Sequence, residues 1–212
     1  MKNNPTEIDM PDIHLSDIEM IDMIFDLQEG LLADDYPFEL WQALTQRVPS
    51  LAESRHVGLL PMRLSDSGEQ VALPKRAKFT LRLPAAMVES ASALSGQRFE
   101  LGDSHLQLGS WKTRPLQHSA TLHAQLVASD SDEVQFMEQV ETVLSEMGIK
   151  GQMICGRPRT LTGKSQYIQG YSLVLHDLSV EASLQLQCYG IGAARQYGCG
   201  IFVPYKLISG LE

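Results

Sequence analysis

Two Gly-apolar-Gly triplets near the C-terminus constrain this chain more than any other stretch of its sequence. Gly190-Ile191-Gly192 and Gly198-Cys199-Gly200 bracket five residues, one of which is Arg195. Glycine adopts positive φ without a Cβ clash, and it lets a second backbone approach closely. The segment therefore predicts a loop shaped to receive a group at main-chain distance. Its bare N–H groups and the Arg195 guanidinium would suit phosphates.

Two other interpretations of the loop stay open at this point. Gly190 to Arg195 looks like part of a dinucleotide-binding fingerprint, but that motif follows a strand and opens a helix. The residues before the loop, 179 to 187, instead have the pattern of a helix. The loop is also compatible with a tight turn that has only a structural role.

A period-two hydrophobic pattern begins at Ile21 and predicts a half-buried strand with Asp22 on its polar face. Arg82 is predicted to point outward in the same way from a later strand. The predicted elements are a strand over 21–27, a helix over 37–48, strands over 57–63 and 78–83, a short helix over 84–94 and a hairpin over 99–108. This order, β-α-β-β-α-β, is that of a ferredoxin-like unit.

The same order recurs in the second half of the chain. Alternation over 120–126 predicts a strand, and an apolar stripe over 132–147 predicts a helix that ends at Gly148. Strands over 151–155 and 168–176, a helix that begins at Ser179 and a last strand over 201–205 follow. The sequence therefore predicts an α+β protein of tandem ferredoxin-like, RRM-like units. We expect domains over 18–115 and 116–212, preceded by a flexible acidic tail over 1–17.

The acidic residues are concentrated towards the N-terminus. The net charge is −9, and residues 1–46 contain eleven acidic side chains against Lys2 alone. The rest of the chain carries sixteen basic and fifteen acidic residues, so its charge permits binding to a phosphate backbone. No apolar run approaches the roughly 18 residues of a membrane span, which predicts a cytoplasmic protein. Three cysteines without a CxxC pair predict neither a disulfide framework nor a zinc site.

The glycine-rich segment resembles the loop of the RAMP superfamily of CRISPR proteins, which precedes a short apolar strand near the C-terminus. Within that superfamily it is most similar to the Cas6 family, in particular to its short MYXAN-type members. Leu81-Arg82-Leu83-Pro84 and Ser95-Gly96-Gln97-Arg98-Phe99 resemble the middle of that family, and residues 178–204 resemble its C-terminal block. The resemblance covers about residues 20 to 206.

This resemblance implies two ferredoxin-like units side by side and cleavage of CRISPR repeat RNA at the base of a stem-loop, without a metal ion or cofactor. The RNA 2′-hydroxyl attacks the neighbouring phosphate, which requires a proton acceptor, a proton donor and positive charge. The family's histidine follows an aspartate just before the first helix, and the aligned stretch 33–41 places Tyr36 at that position. Because a phenol with a pKa near 10 is a poor base at pH 7, His56, beside Arg55, is the substitute candidate.

Basic residues of the second unit are the expected RNA contacts. In Cas6-like proteins such residues hold the RNA stem, which exposes mainly phosphates, and Arg157, Arg159 and Lys164 are predicted to lie in a loop between two strands. The predicted RNA-binding residues are Arg157, Arg159, Lys164, Gly190, Gly192, Arg195, Gly198 and Gly200. The resemblance implies repeat RNA (pre-crRNA) and its product crRNA as partners, together with other Cas subunits of an effector complex.

Three functional hypotheses remain open from the sequence. The first is metal-independent cleavage of repeat RNA, with retention of the crRNA stem-loop for an effector complex. The second is a catalytically weak or inactive crRNA-binding subunit with the same fold, because Tyr36 replaces the expected histidine. The third is an unrelated ferredoxin-like enzyme that acts on a small molecule, which would show no RNA affinity at low salt.

Overall fold

Two antiparallel sheets, each packed against helices, form the part of the chain that the structure describes. The computed structural model describes residues 18–33, 35–62, 71–74 and 76–205. The predicted tail over 1–17 lies outside the described residues. The strands of the first sheet fall within residues 20–115, and those of the second within residues 122–204.

The first half of the chain forms a six-stranded sheet within the described residues. Its elements are β1 (Met20–Leu32), α1 (Tyr36–Arg47), β2 (Gly58–Leu59), β3 (Val71–Ala72), β4 (Lys78–Pro84), α2 (Val88–Ala91), β5 (Arg98–Leu101) and β6 (Ser104–Pro115). The strand order is β2-β4-β1-β6-β5, and β3 pairs with the end of β1. Since β1 lies between β4 and β6, the main strands follow the predicted ferredoxin-like pattern.

The second half repeats this arrangement with four strands among the described residues. Its elements are β7 (Leu122–Ala128), α3 (Glu133–Glu146), β8 (Gln152–Thr162), β9 (Tyr167–His176), α4 (Val180–Tyr189) and β10 (Phe202–Pro204). The order β10-β7-β9-β8 corresponds strand for strand to β6-β1-β4-β2 in the first sheet. In both halves the first main strand lies between the last and the third. The predicted tandem of ferredoxin-like units is therefore confirmed.

Local sequence signals explain where the helices of the second half begin. Asp132 accepts a hydrogen bond from the backbone N–H of Gln135 at 2.9 Å, and Ser179 accepts one from Ala182 at 3.2 Å. Each side chain satisfies a backbone donor that the first turn of the helix leaves without a partner. Both helices bury their apolar sides against the second sheet in a single core cluster.

Arg82 links the two sheets at a position where the strand pattern predicts an outward side chain. It is 1% exposed, and Asp22 beside it is 2% exposed. Its Nε donates to Asp22 Oδ1 at 2.8 Å, and its Nη1 donates to the carbonyl oxygens of Phe202 at 2.6 Å and Gln187 at 3.2 Å. The prediction that both side chains face outward is wrong, because the end of α4 and β10 pack over this polar face. An alternating strand does not reveal what covers its polar side.

Candidate functional site

The glycine-rich loop, residues 190–200, connects α4 to β10 and folds back on the second sheet. Its positive φ angles are 69° at Gly190, 79° at Gly192, 66° at Ala194, 91° at Gly198 and 64° at Gly200. The N–H of Gly200 donates to the carbonyl oxygen of Leu126 in β7 at 2.7 Å. Ala193 is the exposed residue of the loop, and its neighbour Gly192 is half-buried. The corner around Ala193 is thus the part of the loop that faces outward.

Close contacts require glycine at Gly190 and Gly200 of this loop, where an added Cβ would lie 2.2 Å and 2.1 Å from backbone carbonyl oxygens, and they favour glycine at Gly198. A Cβ at Gly190 would lie 2.2 Å from Arg195 Nη1 and 2.2 Å from the carbonyl oxygen of Gly200. A Cβ at Gly198 would lie 3.0 Å from a ring carbon of Pro61, in the segment that follows β2. These glycines let the loop pack closely against its own arginine and against the first half of the chain. Main-chain contact with RNA stays a prediction for the glycines.

Arg195 is buried at the C-terminal end of α4. It is 7% exposed, and its Nη2 donates to the carbonyl oxygen of Cys188 at 3.1 Å. Among the described residues, nothing accepts a hydrogen bond from its Nε or Nη1. Burial and the charge of Arg82 lower the pKa of Arg195 to about 9, so it is charged at pH 7. A buried cation with two unused donors favours a nearby anion.

His56 lies at the same corner of the molecule. Its ring meets the ring of Tyr189 edge-on, with 6.0 Å between the centroids. Burial and the charges of Arg55 and Arg195 lower the pKa of His56 below its usual range. The imidazole is therefore neutral at pH 7 and able to accept a proton. Burial raises the pKa of Tyr189, which keeps its phenol protonated.

Tyr36 begins α1 and is buried in the core of the first half. Its hydroxyl oxygen accepts a hydrogen bond from the backbone N–H of Met62 at 2.9 Å. Burial raises the pKa of Tyr36 to about 12. This geometry supports a structural role for Tyr36, because an enclosed phenol that stays protonated is not available as a base.

The basic residues of the second half lie on a long hairpin. β8 extends to Thr162 and β9 begins at Tyr167, so Arg157 and Arg159 are strand residues and Lys164 lies in the turn. The prediction of a loop around Arg157 and Arg159 is wrong. Pro158 marks a register shift in β8, and a proline is tolerated there because β8 is the edge strand of its sheet.

The tip of this hairpin reaches α1 in the first half of the chain. Lys164 forms an ion pair with Glu39, and a Cβ at Gly163 would lie 2.6 Å from a ring carbon of Phe38. Phe38 in turn packs against Tyr197 of the glycine-rich loop, with 4.7 Å between the ring centroids. The hairpin tip, α1 and the loop are therefore contiguous, and Lys164 already has a carboxylate partner.

A cleft of about 750 Å³ lies between the two sheets. Arg114 and Asp22 line it from the first half, and Arg159, His123 and Tyr205 line it from the second. Pro61, which contacts Gly198, also lines the cleft, so the glycine-rich loop borders it. Of the predicted RNA-binding side chains, Arg159 is the one placed in this cleft.

The described residues contain no group of three or more His, Cys, Asp or Glu side chains that could hold a metal ion. In the same part of the chain, no helix is long and apolar enough to cross a membrane.

Sequence reasoning brought together some of these groups and missed others. Arg195 and His56 were predicted separately as candidate site residues, and both contact the last turn of α4. Tyr189 and Arg114 were missed, because neither forms a motif with its sequence neighbours. Tyr189 lies in the last turn of the helix before the loop, and this position could have indicated that it borders the site.

The fold and the site together define a class of protein: two ferredoxin-like units with a glycine-rich loop that contacts both. The model of the Cas6 family of CRISPR proteins matches residues 21–207. The chain therefore belongs to the Cas6 family. It is 29% identical over 186 residues to the CRISPR-associated endonuclease Cas6 of Myxococcus xanthus (strain DK1622), a match that covers 87% of this chain and 81% of that protein.

Solved structures share the fold at low sequence identity. A Cas6-related protein from Pyrococcus furiosus matches with a TM-score of 0.62 and 14% identity, over 87% of this chain and 98% of that one. A structure described as a RAMP protein binding different RNA substrates matches with a TM-score of 0.62 and 15% identity, over 89% of this chain and all of that one. These matches establish the tandem fold.

Proposed function

We propose that this protein binds CRISPR repeat RNA and cleaves it, without a metal ion, at the corner formed by His56, Tyr189 and the glycine-rich loop. The observation that carries the proposal is that His56 and Arg195 both contact the last turn of α4: the His56 ring meets the ring of Tyr189, and Arg195 donates to the carbonyl oxygen of Cys188. The similarity to a Myxococcus xanthus protein named as a CRISPR-associated endonuclease supports the substrate class.

His56 is the proton acceptor in this proposal. It takes the proton of an RNA 2′-hydroxyl, and the 2′ oxygen attacks the adjacent phosphorus. The bond between phosphorus and the 5′ oxygen breaks, which leaves a 2′,3′-cyclic phosphate on one fragment. The 5′ oxygen of the other fragment takes a proton from the phenol of Tyr189, which is protonated because burial raises its pKa. Proton exchange with water restores both side chains.

Arg195 supplies positive charge to the phosphate as negative charge builds up on it. The guanidinium lies beneath the loop, so its field acts through a poorly polarisable environment and attracts a phosphate even without direct contact. Its Nε and Nη1, which lack acceptors among the described residues, are the donors that a phosphate oxygen would satisfy if the outward corner at Ala193 shifts.

Retention of the cleaved stem-loop for other Cas subunits is the second part of the proposal. Arg157 and Arg159 lie on β8, and Lys164 lies in the turn between β8 and β9. Contacts from these side chains to stem phosphates are the same before and after cleavage. The product is therefore expected to dissociate slowly, in a form that other subunits can bind.

Incubation of the purified protein with repeat RNA in EDTA tests the proposal. The expected result is a product of defined length that ends in a cyclic phosphate, with His56→Ala slowed by about 10²- to 10⁴-fold. Tyr36→Phe serves as the control, and its folded fraction should cleave at the normal rate. Full activity of His56→Ala would exclude His56 as the proton acceptor. Tight binding without any product would instead support a noncatalytic crRNA-binding subunit. The buried Tyr36 at the position where a histidine is expected favours this second function.

A further inference from the structure

We propose that residues 6–10 of this chain add as an extra strand to the outer edge of β6 over residues 110–115, which we call the open edge. The occupant lies in the acidic segment that precedes β1. This contact would form with or without RNA, so it is independent of the proposed function.

The open edge has a strand partner on one side. β1 pairs with β6 as far as Pro115. On the other side, β5 pairs with residues 104–107, and the N–H of Leu108 donates to the carbonyl oxygen of Gln97 at 2.9 Å. Among the described residues, no backbone hydrogen bond reaches residues 110–115 from that side, and all six are exposed. Such an edge presents outward N–H and C=O groups that pair readily with another strand.

The two faces of the open edge differ in chemistry. Trp111 lies opposite Phe25 of β1, which belongs to the core of the first half. Trp111 is therefore on the helix-covered face, at its rim, and it is 38% exposed. Because side chains alternate along a strand, Lys112 and Arg114 lie on the opposite face. A strand that adds here meets an aromatic ring on one face and two cations on the other.

Positive charge is in excess beside the open edge. Asp22 and Asp26 of β1 are each ion-paired with a basic residue of β4. Arg114 donates a further hydrogen bond to Asp22 at 2.9 Å, and Lys112 has no ion pair among the described residues. Four basic side chains therefore share two carboxylates here. A neighbouring strand with acidic side chains on this face would be favoured.

A short segment before β1 has the complementary pattern. Residues 6–10 lie outside the described residues and are bounded by Pro5 and Pro11. Their sequence is Thr6-Glu7-Ile8-Asp9-Met10. Proline cannot donate to a strand ladder, so Pro5 and Pro11 limit the added strand to these five residues. A segment of this length needs a partner to form a stable strand, and the open edge would supply one.

The segment and the open edge match in spacing and in charge. Glu7 and Asp9 are two residues apart, as are Lys112 and Arg114, so both acids can lie beside both cations on one face of the sheet. Pairs of opposite charge on neighbouring strands stabilise their association. The same alignment places the two apolar residues of the segment on the face of Trp111. A slip by one residue would reverse the faces and lose both matches.

The segment is also near enough in the chain to reach the open edge. The carbonyl oxygen of Glu19 accepts a hydrogen bond from the N–H of Ala85 at 2.7 Å, and Ile21 lies opposite Pro115. The chain thus enters β1 beside one end of the open edge. The added strand would lie two strand spacings, about 10 Å, from β1. Residues 11–18 can span up to about 26 Å, so they can connect the segment to β1.

A second copy of this chain fits the open edge less well. In a symmetric antiparallel pair, the central residue of the contact lies opposite its own copy. A pair centred on Lys112 brings two lysines together, and a pair centred on Thr113 puts a lysine opposite an arginine. Like charges directly opposite each other destabilise strand pairing. The acidic segment of the same chain is therefore the better occupant.

Hydrogen exchange of the full-length protein tests this contact. Every second amide of the open edge points away from β1 and would donate to residues 6–10. We expect these amides to exchange about 2- to 10-fold more slowly in the wild-type protein than in Glu7→Lys/Asp9→Lys, which loses the charge pairs that hold the added strand. Amides of β4 report any general loss of stability and should exchange equally in the two proteins.

Matched variants separate strand pairing from net charge. Asp12→Lys/Asp17→Lys changes the net charge by the same amount outside the segment, and it should keep the slow exchange. Ile8→Pro leaves the charge unchanged but removes a donor from the middle of the added strand, so it should speed the exchange. Ile13→Pro, in the connection to β1, should not.

The other outcomes would overturn the inference. Equal exchange of the open-edge amides in the wild-type protein and in Glu7→Lys/Asp9→Lys would exclude the contact, whether those amides are fast or slow. Slow exchange that survives both substitutions and depends on protein concentration would identify a second copy as the occupant. Equally faster exchange in Asp12→Lys/Asp17→Lys would reduce the effect to net charge. Repeat cleavage by the same variants tests the proposed function separately.

Discussion

Arg195 occupies the space that a side chain at position 190 would need: a Cβ at Gly190 would lie 2.2 Å from Arg195 Nη1. The first glycine of the loop is therefore a packing partner of the loop's arginine. This contact and the hydrogen bond from Arg195 to Cys188 hold the Arg195 guanidinium against the turn after α4. The proposed chemistry uses the charge of this guanidinium.

Gly190→Ala should unfold more easily and lose cleavage activity. Gly190 has φ 69° and ψ −164°, a region essentially restricted to glycine that costs an alanine about 1–3 kcal/mol, and the clash with Arg195 and with the backbone of Gly200 adds about 1–3 kcal/mol. Gly96→Ala is the matched control, because Gly96 has a φ of 73° and no atom within 4 Å of the added Cβ. Urea denaturation measures both variants. An equal loss of stability in the two would show that the contact with Arg195 is unimportant.

Arg195→Met should lower cleavage and RNA affinity at least about tenfold without lowering stability. Replacing a buried charged group by an apolar side chain of similar volume is often neutral or stabilising. The single hydrogen bond to Cys188 that is lost offsets only part of that gain. Thermal unfolding and RNA binding are measured on the same preparation. A large loss of stability with unchanged RNA affinity would identify Arg195 as a structural residue.

Arg82→Met should destabilise the protein by about 3–5 kcal/mol. The substitution leaves the buried Asp22 with fewer partners, and it removes both hydrogen bonds to the second half of the chain. Arg98→Met, at an exposed pair of carboxylates, should change stability little. Chemical denaturation compares the two variants. Similar midpoints would contradict the linking role of Arg82.

Tyr36→Phe should lower the free energy of unfolding by about 1–3 kcal/mol, because the N–H of Met62 loses its acceptor. Burial raises the pKa of Tyr36 from 10.0 to about 12, so its stabilising effect is complete below pH 10 and is lost as the pH rises from 10 to 12. The Phe variant should lack this alkaline loss. Unfolding measured at several pH values checks the prediction, and identical pH dependence in both proteins would contradict it.

The cleavage rate should rise with pH and then level off below the usual histidine pKa. The pKa of His56 is lowered from 6.5, so its neutral, proton-accepting form already predominates at neutral pH. We therefore expect a single-turnover rate that is flat from about pH 7 to 8 and falls in acid. A rate that keeps rising tenfold per pH unit through pH 8 would indicate a different base.

Local pattern made much of the fold predictable. The alternation at β4, the apolar stripe of α3 and the caps at Asp132 and Ser179 each depend on neighbours within a few residues of sequence. Elements that local contacts define can be predicted from the chain alone. The glycine-rich loop was found for the same reason, since its glycines mark the positive φ angles that the turn adopts.

Contacts between distant segments were not predictable in this way. A strand pattern shows which face is apolar, but it does not show that the second sheet covers Asp22 and Arg82 on the other face. The neighbours of His56 and Arg195 are likewise fixed by how the two units pack together. The order of elements and the shape of the loop follow from local propensity, so they can be predicted from the amino-acid sequence. Which charges are buried, which face the cleft and which tyrosine meets the histidine depend on packing between segments far apart in the chain, so only the folded structure shows them.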